Sequence, residues 1–355
     1  MSSNIFAFII VLGVLIFFHE LGHFLVARFF NVGVEKFSLG FGPRLIGRTV
    51  GLTDYRISLI PLGGYVKMVG DEPDADIDPA LIPISFTHKK VGQRFAIVAA
   101  GPLFNLLLAV LIFFVVFMAS GTSVLRPVVG EVDKPSPAEQ AGLMRNDVIV
   151  SIGGAAVSSW GKMADMIRAS QGRAFEIGFE RDGRRLSANI TPELKTTQNL
   201  FGEDIKRYLI GVRPRGERGD FLPKKLSFSE SLTLSITRTG EIIELTVLSV
   251  VKLIQGKLPA ATLGGPIKIA KMAGDQARQG LTALMVFTAV ISINLAILNF
   301  LPIPVLDGGH LMFFAIEMIS RRPVSIKVRE IAQQIGIFLL ISLMIFVIFN
   351  DIVNP

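Results

Sequence analysis

The chain has 355 residues, of which 50% are hydrophobic, and it carries a net charge of +7. So apolar a composition excludes an ordinary soluble protein and predicts several membrane spans joined to one polar domain. The basic residues concentrate in short segments beside apolar runs, so the charge indicates membrane topology and not nucleic acid as a partner. Because the chain has no cysteine, any metal ion must be held by histidine and carboxylate side chains.

The first predicted span, residues 5–30, contains an H-E-x-x-H motif. On a helix this spacing places His19 and His23 on one face with Glu20 beside them, as in zinc sites that carry their own general base. Ionisable side chains are costly inside a bilayer, so we interpret them as functional. No basic stretch precedes the apolar run and no small-x-small cleavage site follows it, so we expect a retained span and not a signal peptide.

The next segment, residues 31–94, holds eight Lys and Arg residues and is predicted to be cytoplasmic, with the N-terminus outside. Within it, residues 55–61 and 63–69 are predicted to form two short strands joined by a Pro/Gly turn. They fit either a segment that dips into the membrane and pairs with an unwound substrate or an ordinary cytoplasmic hairpin. An acidic stretch at 71–78 is predicted to be a mobile connector before a second span at 95–119.

The second span opens with Gly101, Pro102 and Asn105, which indicate tight helix packing. Residues 122–221 then change to short alternating runs, turn dipeptides and charges. The predicted elements are a strand at 127–133, a helix at 138–143, a strand at 147–152, a helix at 160–169 and a hairpin pairing 175–181 with 184–191.

The segments S-P-A-x-x-A-G-L and D-V-I-x-S-I-G-G within this stretch resemble bacterial PDZ domains. PDZ domains bind an extended peptide by strand addition. The resemblance implies a peptide groove between one strand and one helix, although the same apolar positions could be plain core. The residues concerned are Val128, Val129 and Gly130 on the strand, and Met163 and Ile167 on the helix.

Residues 222–280 are predicted to be a helical linker on or beside the membrane, opening with the capping pattern Ser227-x-x-Glu230. Its apolar core at 242–254 is too short to span and contains two charges. A third span at 281–301 ends in N-x-x-P-x-P-x-L-D-G-G-H, which breaks the helix at apolar depth. A second basic cluster then precedes a fourth span at 335–349.

A catalytic zinc needs a third protein ligand, and the candidates in apolar surroundings are Asp307, His310 and Glu317. Asp307 is preferred, because a carboxylate at this depth needs a strong partner, whereas His310 fits a supporting role. If residues 95–119 cross the membrane and 242–254 do not, spans one and three are parallel and Asp307 lies on the same side as His19. Glu20 would take a proton from a water molecule that the metal acidifies and pass it to the leaving amine.

With H-E-L-G-H in the first span, a PDZ-like insert after the second and the Asp307 motif after the third, the chain resembles the site-2 protease family of intramembrane zinc metalloproteases. Its pattern is most similar to that of the bacterial regulator-of-sigma-E proteases. The resemblance implies that His19, His23 and Asp307 bind one Zn²⁺ and that Glu20 is the catalytic base. It also implies a set of substrate-binding residues, namely Asn294, Asn299, Pro302 and Pro304 after the third span and Gly63, Gly64, Tyr65 and Val66 in a membrane-reentrant β segment.

Substrates in this family are single-pass membrane proteins, such as anti-sigma factors already trimmed by an upstream site-1-type protease, or leftover signal peptides. The resemblance therefore implies regulated intramembrane proteolysis in the bacterial inner membrane. One departure is that residues 126–221 have room for one PDZ domain, whereas well-known members carry two, so a size filter built from tandem domains is not expected. A metal transporter, a PDZ-bearing scaffold and a zincin working outside the bilayer are the competing functions.

The predicted fold class is a polytopic α-helical membrane protein with about four transmembrane helices, a membrane-associated β segment and one extracytoplasmic PDZ-like α+β domain. We divide the chain into a first membrane part at 1–121, the PDZ-like domain at 122–221, a linker at 222–280 and a second membrane part at 281–355. Both termini and the PDZ-like domain are predicted to be outside, with the zinc site facing the cytoplasmic side.

Overall fold

The computed structural model describes residues 2–71, 77–199, 201–259 and 264–353. The chain folds into two compact units. The first combines Met1–Val116 with Leu232–Pro355, and the second consists of Phe117–Ser231. The second unit is thus an insertion between the two halves of the first. The four-part division predicted from the sequence stays a prediction.

The first unit begins with one long helix followed by a β-hairpin. The helix is apolar on almost every side and pairs its own backbone groups, as a bilayer requires. The hairpin turns at Gly51, where a φ of 61° suits glycine. The elements are α1 Ser2–Phe29, β1 Val34–Val50 and β2 Thr53–Met68, followed by a 3₁₀ helix at Pro79–Ile84 and by α2 Val91–Ser120.

The hairpin differs from the predicted pair of strands. Residues 55–61 and 63–69 are predicted to be separate strands with a turn between them, but the structure has one continuous strand, β2, that ends at Met68. Its partner β1 is not predicted, because Gly40 and Pro43 interrupt the alternation of apolar residues on which strand prediction depends.

Both strands are bent, which gives part of β1 a partner on each edge. Residues 36–39 pair with residues 64–67 on one side and with residues 54–57 on the other. The bending folds the long hairpin into a compact sheet against α1. The predicted connector at 71–78 falls largely on residues 72–76, which lie outside the described part of the chain.

The second unit consists of short strands and two helices around an apolar core that includes Ile149, Met163 and Ile177, all at most 1% exposed. The predicted hairpin around Asp182 and Gly183 is confirmed, and both turn residues have positive φ values, of 50° and 76°. The elements are β3 Thr122–Leu125, β4 Val129–Val132, α3 Pro137–Gln140, β5 Val148–Ile152, β6 Ala155–Ala156, α4 Trp160–Ala169, β7 Phe175–Arg181, β8 Arg184–Ile190, β9 Glu193–Gln198, β10 Asp204–Leu209, β11 Val212–Pro214 and β12 Phe221–Lys224.

Two fully buried carboxylates of this unit are paired with arginines. Asp147 accepts two hydrogen bonds of 2.8 Å from Arg181. Asp220 accepts bonds of 2.9 Å and 2.6 Å from Arg215, and these bonds lower the pKa of the Asp220 carboxyl. Each pairing gives a buried carboxylate hydrogen-bond donors in the interior of the unit.

The remaining helices belong mainly to the first unit. The predicted capping box is confirmed, because Glu230 accepts a hydrogen bond of 2.9 Å from the backbone N–H of Ser227. That bond and the ion pair with Lys224 lower the pKa of Glu230 to about 2. The helices are α5 Phe228–Ile254, α6 Pro266–Gln279, α7 Leu281–Phe300, α8 Asp307–Ser320 and α9 Ile326–Val353.

The short helix α6, which the sequence does not predict as a separate element, packs along α1. Arg278 donates a hydrogen bond of 2.9 Å to Asn4 near the start of α1. The first turn of α6 is capped by Asp351 of α9, which accepts bonds of 2.8 Å to 3.1 Å from three backbone N–H groups. A carboxylate at a helix N-terminus also interacts favourably with the helix dipole.

Four helices in the described part of the chain are long and apolar enough to cross a bilayer: Asn4–Phe29, Val91–Ser120, Leu281–Phe300 and Ile326–Val353. They correspond to the four predicted spans, although α9 begins nine residues before the predicted start at 335. The long helix α5 is not among them, as its internal charges predict. These elements confirm a polytopic helical membrane protein with a β segment and a PDZ-like α+β unit.

Candidate metal centre

Three side chains that can bind a metal converge where α1 meets the start of α8. The Nε2 atom of His19 lies 3.1 Å from Oδ2 of Asp307, and that of His23 lies 3.6 Å from the same oxygen. The two Nε2 atoms are 3.3 Å apart. No other group of three such side chains converges in the described ranges.

This geometry fits a zinc ion. Ligand atoms about 2.0–2.1 Å from a tetrahedral zinc are about 3.3 Å from one another, which is the separation of the three atoms here. The Oδ2 atom of Asp307 is buried and accepts no well-directed hydrogen bond from any described residue. The Nδ1 atom of His23 lies 2.9 Å from the backbone oxygen of Ile97, to which it can donate, so that Nε2 is free to bind a metal.

Glu20 lies next to this group and is 9% exposed. The backbone N–H of Val66 on β2 lies beside its carboxylate. A Cβ atom on Gly64 would lie 3.1 Å from Cγ of Glu20, so the strand passes directly beside the glutamate. The long hairpin therefore forms one wall of the site, and the side chain that could transfer protons touches it.

Two glycines allow α1 and α2 to approach each other at the site. A Cβ atom on Gly22 would overlap the backbone oxygen of Ala100, and one on Gly101 would overlap the rings of His19 and His23. Small residues at a crossing point let helices pack closely within a membrane. The sequence indicates tight packing at Gly101 but does not identify the histidine rings as its neighbours.

Replacing Gly101 with alanine is expected to abolish zinc binding, because the added methyl group would occupy the space of both histidine rings. Zinc content of the purified protein measures the effect. The matched control is Gly92→Ala in the same helix, since a Cβ atom there meets no atom within 4 Å. A Gly101→Ala protein with full zinc content would show that the rings bind no metal in this arrangement.

The position of Asp307 depends on the loop before it. Helix α7 ends at Phe300, and the chain returns over the first turn of α8, of which Asp307 is the first residue. A Cβ atom on Gly308 would overlap the backbone oxygen of Leu301, and one on Gly309 would overlap that of Ile303. The two glycines after Asp307 are therefore sterically required for this tight return.

The other two candidates for a third ligand have different surroundings. Glu317 accepts a hydrogen bond of 2.5 Å from Arg94 and also pairs with Arg329 at 3.8 Å. His310 lies one turn after Asp307 and lines a cavity of about 570 Å³ that also borders the edge of β2. Neither belongs to the group of converging metal-binding atoms, so the geometry favours Asp307.

The predicted substrate-binding residues of the β segment lie at the site. Gly64 and Val66 touch Glu20, as described above. Tyr65 stacks on Phe41 with ring centroids 6.1 Å apart. Gly63 has a φ of 151° and leaves no room for a Cβ atom beside the same Phe41 ring. The aromatic ring of β1 thus fixes the course of the strand past Glu20.

The predicted residues around the end of α7 have more varied neighbours. Asn294 accepts a hydrogen bond of 2.8 Å from the hydroxyl of Thr246 on α5. Pro304 packs against Gly336 of α9, where a Cβ atom would lie 3.4 Å from Pro304. Pro302 is exposed and Asn299 is half-buried. Among these four, Asn294 and Pro304 already have contacts that hold the helices together.

The cavity of the second unit differs from the predicted groove. Val128 and Val129 are at most 1% exposed, and Gly130 is packed against the backbone at Arg215, so none of the three faces a groove. The reason is that β4 pairs with β11, and the side chain of Val129 belongs to the apolar core. A cavity of about 220 Å³ lies instead between α4 and residues 207–212. Met163 and Ile167 do line it, as predicted.

Comparison with known proteins gives one family match and close relatives. A model of Peptidase family M50 matches residues 7–343. The protein mll0638 of Mesorhizobium japonicum, whose name describes it as a zinc metalloprotease, is 37% identical over 97% of this chain and 97% of its own length. The similarly named Cj1068 of Campylobacter jejuni is 37% identical over 99% of this chain and 94% of its own. The PDZ domain of an SdrC-like protein from Listeria monocytogenes aligns with 24% of this chain and 84% of its own, at 23% identity and a TM-score of 0.20.

Proposed function

Because this chain belongs to peptidase family M50, the site-2 protease family, we propose that it cleaves the transmembrane segments of single-pass membrane proteins within the bilayer. Membership of this family makes the protein a zinc metalloprotease of the inner membrane. Cleavage within the bilayer is supported by the position of His19, His23 and Glu20, which lie on a helix long enough to span the membrane. A site for hydrolysis at that position acts on peptide bonds at the same depth.

In this proposal His19, His23 and Asp307 bind the zinc ion. When bound, zinc acts as a Lewis acid that polarises the scissile carbonyl and acidifies water. Glu20 accepts the proton of the attacking water at its carboxylate and later donates it to the leaving amine. The strand β2 passes directly beside Glu20 at Gly64 and limits where its carboxylate can lie. The apolar helices exclude bulk water, which strengthens these charge interactions.

The substrate must be unwound before cleavage, because the hydrogen bonds of a transmembrane helix shield its peptide bonds. We propose that the unwound segment pairs with the edge of β2 beside Glu20, by strand addition. The cavity of about 570 Å³ supports this role, since it borders Tyr65, Val66 and Lys67 and lies next to His310. Gly63 and Gly64 let the strand pack closely on Phe41 and Glu20, which keeps its edge beside the glutamate.

The proposed orientation follows from the distribution of basic residues. The segment between α1 and α2 and the segment before α9 both carry Lys and Arg clusters, which favour the cytoplasmic side. Both termini and residues 122–221 are then extracytoplasmic, and the metal centre faces the cytoplasm. Substrates would be anti-sigma-factor-like proteins already trimmed by an upstream protease, or remnant signal peptides.

Cleavage of a single-span test substrate by the purified protein, before and after removal of zinc, tests the proposed function. We expect cleavage to stop when zinc is chelated and to return when zinc is added back. A soluble unfolded protein is the control substrate, and we expect it to remain uncut. Cleavage that persists without zinc, or that occurs only with the soluble substrate, would contradict the proposal.

Replacing Asn294 or Pro302 is expected to lower cleavage of the test substrate while zinc content stays normal, since both are proposed to offer contacts to the unwound segment. The change Thr246→Val separates this role from packing, because it removes only the partner of Asn294 on α5. If Thr246→Val lowers cleavage as much as Asn294→Leu, the hydrogen bond between α5 and α7 is the important feature. Loss of zinc in either variant would give the residue a structural role instead.

A further inference from the structure

Asn105 is a fully buried polar residue in the middle of α2, and its side chain reaches His19. Its Nδ2 atom lies 3.3 Å from Nδ1 of His19. Its Oδ1 atom is buried and has no hydrogen-bond partner among the described residues. The backbone oxygen of Asn105 accepts a bond of 2.7 Å from Ser292 on α7, which fixes this part of α2 against α7. A buried amide with one unused end requires an explanation.

The surroundings of His23 show what His19 requires. The backbone oxygen of Ile97 can only accept a proton, so the Nδ1 atom of His23 must donate and its Nε2 atom is left as a metal ligand. The Nε2 atom of His19 also points to the place where the three metal-binding atoms converge. His19 therefore needs the same tautomer as His23, with the proton on Nδ1. Its Nδ1 atom must then carry a proton and find an acceptor.

The amide of Asn105 can provide that acceptor by rotating about its last side-chain bond. A half turn exchanges Nδ2 and Oδ1, which places the oxygen opposite Nδ1 of His19 without moving the backbone. In the present orientation Oδ1 has no hydrogen-bond partner among the described residues, so the rotation gives up only the contact between Nδ2 and His19. The amide can therefore hydrogen-bond to Nδ1 in either tautomer of His19. The carbonyl of Ile97 can hydrogen-bond only to the tautomer of His23 that has its proton on Nδ1.

We propose that Asn105 is a positioning residue that accepts the Nδ1 proton of His19 and thereby directs Nε2 of His19 to the metal. This rests on the proposed assignment of His19 as a zinc ligand. Partners that orient a metal-binding histidine typically change metal affinity 10–100-fold when removed, so the effect should be measurable as zinc binding and not only as activity.

The test is the zinc dissociation constant of the full-length protein in detergent, measured by competition with a chromogenic chelator. Asn105→Leu keeps the shape of the side chain without an acceptor and should weaken zinc binding about 10–100-fold. Asn105→Asp keeps the acceptor and should bind zinc at least as tightly as the wild type. A residue needed only for packing would show the reverse order, since a buried carboxylate is less well tolerated than leucine.

Two further variants complete the experiment. Thr288→Val removes another buried hydroxyl, one that bonds only within α7, and should leave the dissociation constant unchanged. His19→Ala should abolish tight binding if the proposed function is right. Normal zinc affinity in His19→Ala would overturn the ligand assignment itself. Loss of zinc in His19→Ala together with unchanged affinity in Asn105→Leu would overturn only the role of Asn105.

Discussion

Replacing Glu20 with glutamine is expected to reduce cleavage of a single-span substrate by at least about 100-fold, the lower end of what a positioned general base contributes. Glutamine has nearly the same shape but cannot accept a proton from water. Because the side chain keeps its size beside Gly64, the wall of the site formed by β2 should stay in place. The zinc content should not change, because the proposed ligands His19, His23 and Asp307 are left intact.

The measurement is the cleavage rate of the purified variant together with its zinc content. Glu244→Gln is the matched control, because it makes the same chemical change at an exposed position of α5 and should behave as wild type. Undiminished cleavage by Glu20→Gln would exclude Glu20 as the general base. A loss of zinc in this variant would mean that Glu20 supports the metal centre and not proton transfer.

Replacing Asp307 with asparagine is expected to weaken zinc binding by more than about 100-fold, since even partners that only orient a ligand account for 10–100-fold. The carboxylate supplies the negative charge that two neutral histidines lack, and its Oδ2 atom lies 3.1 Å and 3.6 Å from their Nε2 atoms. Asparagine keeps the size of the side chain and loses this charge. Cleavage should fall with the zinc content.

His310→Ala is the informative companion, because His310 is the alternative ligand that the sequence leaves open. We expect it to keep its zinc, since His310 lies outside the group of converging atoms. Metal analysis of both variants decides between the two residues. Zinc retained in Asp307→Asn and lost in His310→Ala would assign the third ligand to His310.

Much of this architecture can be predicted from the sequence, because its signals are local. Long apolar runs indicate the four spans, and the spacing of His19, Glu20 and His23 brings them together on any helix. The turn at Asp182 and Gly183 and the cap at Ser227 and Glu230 likewise depend on residues within a few positions of one another. The prediction of Asp307 as the third ligand depends on counting membrane crossings, because parallel spans place their ends on the same side.

Features that depend on distant partners could not be predicted. The strand β1 has no clear alternation, and its pairing with two parts of β2 follows from the bend of the whole hairpin. Asn105 appears in the sequence as one more polar residue in a span, and its contact with His19 exists only because α1 and α2 cross at Gly22 and Gly101. The cavity beside α4 borders residues 207–212, which are far from that helix in the chain.

The helix α6 could not be predicted for the same reason, because it also depends on a distant partner. Its sequence is short and mixed in polarity, so nothing local distinguishes it from a surface linker. Its N-terminus is capped by Asp351, which lies more than eighty residues later. The carboxylate of Asp351 at the end of α9 is therefore visible in the sequence only as a polar residue in an apolar run.

This protease is proposed to cut its substrates within the membrane, and the position of the cut in a substrate tests that proposal most directly. His19 is ten residues before the end of α1 at Phe29, which is about 15 Å along the helix. Mass spectrometry of the products from a single-span substrate in a bilayer should therefore place the cut inside the span, nearer its cytoplasmic end. A cut confined to the segments outside the span would contradict the account.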